Sequence, residues 1–264
     1  MRIFGKHIDF SSLDIFEKII YSVVFSGFIL WIFYILHQLS GSNIHQIWLF
    51  FALPGSFEEF IKQPWSLVTY AWIHLNIIGF FFNLIWLWFI GRIFLGFEPN
   101  GKMFKIFILG IIAGGLGFLL AYSFLPFFFR DEPNAYLTGI STGYLSWLGY
   151  LTAKYSNYPV YVRLLGNIKI KWFFYFFIFW DVIQFPLINS GGHIAHLFAL
   201  FTGYFAAKFM NSRKMKPKHD FHIYDNYKTS TEKKIDRILD KINKKGMRSL
   251  TDEERSFLER ESKR

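Results

Sequence analysis

No cysteine occurs in the 264 residues, so disulfide cross-links and thiolate chemistry are excluded at once. Charge is also scarce. Asp, Glu, Lys and Arg make up 18% of the chain, against about a quarter in ordinary soluble domains. The first 18 residues lack a basic start, short apolar core and small-residue cleavage site, so no removable signal peptide is expected. The first membrane helix then serves as its own insertion signal. What fills the chain is apolar: 53% of residues are hydrophobic, including 35 Phe, 14 Tyr and 9 Trp, and the mean hydropathy is +0.27. Several stretches exceed the roughly 20 apolar residues needed to cross a bilayer core of about 30 Å. The composition is that of a polytopic membrane protein.

Six apolar segments are expected to cross, at about 19–39, 75–94, 104–125, 137–153, 172–188 and 191–210. The stretch 42–72 is too interrupted, by Pro54, Gly55 and Pro64, to span cleanly. It reads as an interfacial loop with short helices between the first two spans. The net charge of +10 is unevenly distributed, which argues against nucleic-acid binding and for topology. Arg2, Lys6, Lys18, Arg92, Lys102, Lys105, Lys154, Arg163, Lys169, Lys171 and the tail collect on one side, opposite Lys62 and Arg130. The positive-inside rule therefore places both termini in the cytoplasm. Three regions result: a cytoplasmic N-terminus at 1–18, a membrane domain at 19–211 and a basic cytoplasmic tail at 212–264. Within the tail, Ile235, Ile238, Leu239 and Ile242 have helical spacing and end at Gly246. Thr251 and Glu254 have the spacing of a capping box opening a second helix, which carries Phe257 and Leu258. A helical hairpin is expected, its basic residues suited to anionic lipid or a cytoplasmic partner.

Polar residues inside a bilayer are costly and mark functional positions. Those of interest are His74, Asn83, Ser141, Asp181, His193 and His196. With 1.5 Å of rise per residue, Ser141, His196 and Asn83 lie roughly 6, 7 and 12 Å below the outer ends of three spans, one common level. A serine becomes a nucleophile when a neighbouring base takes its proton, and an amide can donate to the oxyanion that follows. Gly139 and Gly143, and Ala199 and Gly203, are pairs four apart that would let two helices approach closely. Asp181 could pair with the histidines, relay protons, or stay protonated against a neighbouring helix, the last being preferred. His193 reads as a satisfied loop histidine and His74 as a structural hydrogen-bonder.

The pieces Thr69-Tyr70 through His74, Asn83, Gly91-Arg92, Gly139-Ile140-Ser141, and Ala195-His196-Leu197 through Gly203 follow the order found in rhomboids, and over about 64–208 the chain resembles that family. The tail is similar to the C-terminal extension of a bacterial subgroup. The resemblance implies an all-α, six-transmembrane-helix bundle with an interfacial loop between helices 1 and 2, in a bacterial inner membrane. It implies an intramembrane serine protease cutting single-span membrane protein substrates near the outer leaflet. Ser141 would be nucleophile and His196 general base, with no carboxylate third member. Asn83 and the Ser141 amide would form the oxyanion hole, supported by Gly139, Thr142 and His74. No metal or other cofactor is implied.

The chain departs from the family pattern at several places. Thr142 stands where glycine is common, adding a branched side chain beside the oxyanion site. Gly79 replaces a second histidine donor, Leu145 an aromatic, and Ala199 a glycine. Losing an oxyanion donor can cost about 10²–10³ in rate, so the alternative is a weak pseudoprotease that binds membrane clients. A metal-site or transporter reading is disfavoured, because His193 and His196 are three apart rather than four, with no glutamate between them. Span five, aromatic and interrupted by Pro186, is expected to tilt away from span two to admit substrate.

Overall fold

The computed structural model describes residues 2–3, 6–7, 13–40, 45–124, 135–162, 165–185, 189–210 and 230–262. Its frame is a bundle of α1 (Ile15–Ser40), α5 (Ile77–Phe97), α6 (Asn100–Phe124), α7 (Ser141–Tyr155), α8 (Ile170–Gln184) and α9 (Ser190–Phe209). Among the described residues, three helices are long and apolar enough to cross a membrane: Ile15–Phe33 within α1, then α5 and α6. The protein is an integral membrane protein.

The other three long helices differ for a physical reason. Every residue of α7 from Ser141 to Thr152 is buried, so this helix faces protein on all sides and needs no apolar lipid-facing surface. It can therefore carry Ser, Thr, Gly, Tyr and Lys. At 15 residues α8 is short, and it exposes Trp172, Tyr175, Phe176, Phe179 and Trp180. The helix α9 trades apolar residues for the small and polar ones that face α7.

Between lipid-facing helices there is little hydrophobic drive, so close packing and buried hydrogen bonds hold the bundle. The closest approach joins α7 to α9. A Cβ on Gly149 would strike the Leu200 carbonyl, and one on Gly203 would strike the Ser146 carbonyl. Gly203 thus acts as its spacing suggested, but its counterpart on α7 is Gly149. Gly143 instead makes room for Phe107 of α6, and Gly139 lies before the helix. Two side chains on α7 bond to α6 backbone carbonyls: Ser146 Oγ to Ile106 (2.8 Å) and Trp147 Nε1 to Met103 (2.8 Å). Such bonds contribute about 0.6 kcal/mol each in a membrane.

The expectation of an all-helical chain needs amendment, because three short antiparallel strand pairs are present. The pair β1 (Arg2–Ile3) with β2 (Lys6–His7) lies at the N-terminus, and β5 (Pro159–Val162) with β6 (Gly166–Lys169) links α7 to α8. The third bears on the site. In the 42–72 stretch, α2 (His45–Leu49), β3 (Leu53–Pro54), α3 (Phe57–Lys62), α4 (Ser66–Thr69) and a 3₁₀ turn (Tyr70–Trp72) follow in order. There β3 pairs with β4 (Tyr136–Leu137), Leu53 opposite Leu137. The loop is also laced by Thr69 Oγ1 to the Phe51 carbonyl (2.8 Å) and Trp65 Nε1 to the Phe50 carbonyl (2.8 Å). It carries the short helices expected of it and also straps the segment leading into α7.

In the tail, α10 (Ser230–Lys245) ends at Gly246, whose φ of +79° suits glycine, and α11 (Asp252–Ser262) follows. The expected capping box closes: Glu254 N–H donates to Thr251 Oγ1 (3.3 Å) and Thr251 N–H to Glu254 Oε2 (2.9 Å). Lys241 bonds Glu254 (2.6 Å) and Lys234 lies over the Phe257 ring (4.5 Å), tying the two helices. Arg130 and Arg163, used in the topology reading, and Pro186, used in the substrate-gate reading, lie outside the described residues.

Candidate functional site

Ser141 is the first residue of α7, not a residue about one turn into a longer span as its surroundings suggested. The chain instead enters extended through β4. Gly139 then turns it, with φ +102°, a conformation that a side-chain-bearing residue adopts only under strain. Extended backbone advances about 3.3 Å per residue against about 1.5 Å in a helix, so the stretch through β4 carries the chain deeper than the same residues would as helix. This is how Ser141 meets His196, which sits nearly two turns into α9.

The two side chains touch: Ser141 Oγ lies 2.8 Å from His196 Nε2. Ser141 is buried, and its backbone N–H belongs to the first turn of α7, where amides have no helical acceptor. Asn83 on α5 comes to the same place. Its Oδ1 accepts from the Tyr144 hydroxyl (3.0 Å), which leaves Nδ2 free to donate on the Gly139 side. The role of Tyr144 was not foreseen. Its only signal in the sequence is its spacing, one turn after Ser141.

His74 braces the approach to Ser141. Its Nδ1 donates to the Trp72 carbonyl (3.3 Å), and its Nε2 accepts from the N–H of Ile140, the residue before Ser141 (3.4 Å). Burial pushes this imidazole down to about 4, although the Trp72 carbonyl works the other way, so it is neutral and can accept at Nε2.

Thr142 does not crowd the site as expected. Its side chain points inward, with Cγ2 against Gly114 and Oγ1 2.8 Å from the Tyr70 hydroxyl, which itself donates to the Ile111 carbonyl (2.7 Å). At Gly79 the position of the missing histidine has room: the three atoms nearest an added Cβ all belong to Asn76, at ordinary contact distance.

Asp181 overturns the preferred reading of an isolated carboxyl. It is 1% exposed, and its Oδ1 lies 2.9 Å from His196 Nδ1 and 2.7 Å from His193 Nδ1. His193 is correspondingly in the first turn of α9, not in a loop. These three residues bring their ligand atoms within 4.8 Å of one another, the size of a small cation site. Both Nδ1 atoms lie at hydrogen-bond distance from Oδ1 itself, so imidazole N–H groups can satisfy this oxygen directly.

The Rhomboid domain family matches residues 62–213, more than half of the chain. The chain therefore belongs to the rhomboid family. It is also similar to the rhomboid protease GlpG of Serratia proteamaculans (strain 568), at 28% identity over 82 residues, which is 31% of this chain and 28% of that protein. The matched part spans under a third of that relative's length. Residues 222–264 match a family of unknown function, DUF6576, so the tail helices have relatives of their own.

Proposed function

We propose that this protein is an intramembrane serine protease in which Ser141 and His196 form the catalytic pair. The observation that carries the reading is the 2.8 Å contact of Ser141 Oγ with His196 Nε2 at the start of a helix whose first twelve residues are all buried. Family membership supports it as well. In the mechanism, His196 takes the Ser141 proton as Oγ attacks the scissile carbonyl carbon of a substrate segment. The oxyanion of the tetrahedral intermediate accepts from the Ser141 N–H and Asn83 Nδ2, and the α7 N-terminus adds a favourable dipole. His196 then gives its proton to the leaving amine. Water, activated by the same imidazole, releases the acyl group.

Six crossings with both termini in the cytoplasm of a bacterial cell would set this site in the outer half of the membrane. Substrates would be single-span membrane proteins. The direct test is cleavage of a fluorescent single-span peptide by the purified protein. Ser141→Ala is expected to abolish turnover, and cleavage retained in that variant sinks the reading. Absent turnover in the wild-type protein across several peptides would favour the client-binding alternative, for which Gly79 is the motivating departure.

Substrate access is proposed to run between α5 and α8. Aromatic contacts bridge these helices: Trp86 with Phe177 (centroids 4.8 Å) and Phe89 with Phe173 (5.3 Å). A covalent crosslink at positions 86 and 177 is expected to stop cleavage of the membrane peptide while Ser141 still reacts with a small phosphonylating probe. Unchanged peptide cleavage would rule out this gate.

A further inference from the structure

One polar grouping adjoins the catalytic pair without being required by a two-residue mechanism: the buried carboxylate of Asp181, shared by His193 and His196. Asp181 sits on α8 among Phe, Trp and Ile, and its Oδ2 has no hydrogen-bond partner among the described residues. A carboxylate this deep is expensive unless it is paired or hydrogen-bonded. Its contacts are confined to Oδ1, and both are imidazole Nδ1 atoms on the neighbouring helix α9.

The hydrogen-bond directions follow from these contacts. A carboxylate accepts, so His196 carries its proton on Nδ1 and donates it to Oδ1. That tautomer leaves Nε2 as an acceptor, the state required to receive the Ser141 proton. The second donor, His193 Nδ1–H, fills the same Oδ1 and fixes the rotamer of the carboxylate, so that His196 is presented to Ser141 in one orientation. Electrostatics favours the same arrangement at the moment of reaction. Before attack the buried carboxylate faces two imidazoles, and once His196 holds the serine proton it faces an imidazolium. The ion pair forms only as the tetrahedral intermediate forms, so its energy lowers the barrier rather than tightening substrate binding.

We propose that Asp181 is a positioning residue that extends the Ser141–His196 pair into a three-membered relay, with His193 as the clamp on its carboxylate. This rests on the protease reading above and adds a carboxylate that the family resemblance did not supply. Because Asp181 rides on α8 and His196 on α9, the relay is assembled only while these two helices remain together at this level.

The test is steady-state cleavage of the single-span peptide by the full chain in detergent, comparing wild type with Asp181→Asn, His193→Ala, Ser141→Ala and His196→Ala. Asp181→Asn keeps the shape of the side chain but removes its charge and its hold on the tautomer. It is expected to lower kcat by about 10³–10⁴-fold, with KM and the thermal midpoint nearly unchanged. His193→Ala keeps the Asp181–His196 contact and is expected to give a smaller loss, again in kcat. If Asp181→Asn has wild-type kcat while Ser141→Ala and His196→Ala are inactive, the relay is wrong and the two-residue protease stands. A raised KM with unchanged kcat, or a lost thermal midpoint with normal kcat in the surviving fold, would assign Asp181 a structural role and also overturn the relay. Activity that survives Ser141→Ala removes the protease reading and the relay together. Should Asp181→Asn not fold, proton NMR of wild-type protein with ¹⁵N-labelled histidine decides. A low-field Nδ1–H resonance that is absent in His196→Gln is expected, and histidine protonated only at Nε2 would overturn the proposal.

Discussion

Gly203→Val is expected to lower kcat for peptide cleavage by at least about 10²-fold and to destabilise the fold by about 1–3 kcal/mol. The cause lies in the backbone contact between α7 and α9. A Cβ at Gly203 would meet the carbonyl of Ser146, and backbone cannot rotate aside as a flexible side chain can. The helices must then separate, and His196, on α9, moves with its helix away from Ser141 on α7. A displacement near 1 Å is enough to cost about 10² in rate. Gly101→Ala provides the control, since nothing lies within 4 Å of a Cβ placed there. Thermal denaturation and cleavage should both be unaffected in that variant. If Gly203→Val behaves like Gly101→Ala, the close α7–α9 contact does not hold the site.

Glu98→Ala is expected to be the most destabilising single change outside the site, by about 3–5 kcal/mol. Glu98 closes the turn between α5 and α6 and is buried. Its Oε2 accepts from Lys102 Nζ (2.6 Å), and its Oε1 accepts from Lys154 Nζ (3.2 Å) and the hydroxyls of Tyr150 (3.1 Å) and Tyr155 (3.2 Å). The cluster pins the far end of α7, the helix whose first residue is Ser141. Removing the carboxylate leaves the buried Lys154 ammonium without it, and the lost pairing is much larger than the worth of a surface ion pair.

The same cluster gives a pH signature. Burial raises the Glu98 carboxyl, but the hydrogen bonds and charges of Lys102 and Lys154 outweigh that and hold it below its ordinary value of 4.5. Because the folded-state value is the lower one, the stabilisation is fully present above pH 4.5. It fades as pH falls from there through the folded-state value. Wild-type protein should therefore lose stability in that acid window while Glu98→Ala, already weakened, loses less. Parallel acid slopes for the two proteins would contradict this role for the cluster.

Much of the scaffold was legible because it depends on local pattern. The positions of the long helices followed from apolar runs, and the tail hairpin from Gly246 and the Thr251–Glu254 box. The serine and histidine emerged from their cost in a membrane and from a matched level, although Ser141 reaches that level by another route. A run such as 137–153 cannot reveal that it opens with strand and turn rather than helix, because β4 is set by pairing with Leu53, more than eighty residues earlier. The partner of Gly203 was misjudged for a similar reason. Spacing gives pairs on one helix, while the facing glycine, Gly149, depends on how two helices are rotated.

Thr142 likewise appeared to crowd the site, since the side a residue presents at a helix start depends on the turn at Gly139. Asp181 was more accessible than it was taken to be. Two antiparallel helices joined near residue 188 bring residue 181 opposite 193–196, so a lone carboxylate on one and two histidines on the other were within reach.

The most direct measurement is covalent labelling of the purified protein with a fluorophosphonate, followed by mass mapping of the adduct. This reads nucleophile activation without requiring a known substrate. Labelling confined to Ser141 and lost in His196→Ala is the expected result, the imidazole being needed to take the serine proton. No adduct on Ser141 in the folded wild-type protein, or labelling undiminished in His196→Ala, would contradict the Ser141–His196 pair as the seat of catalysis.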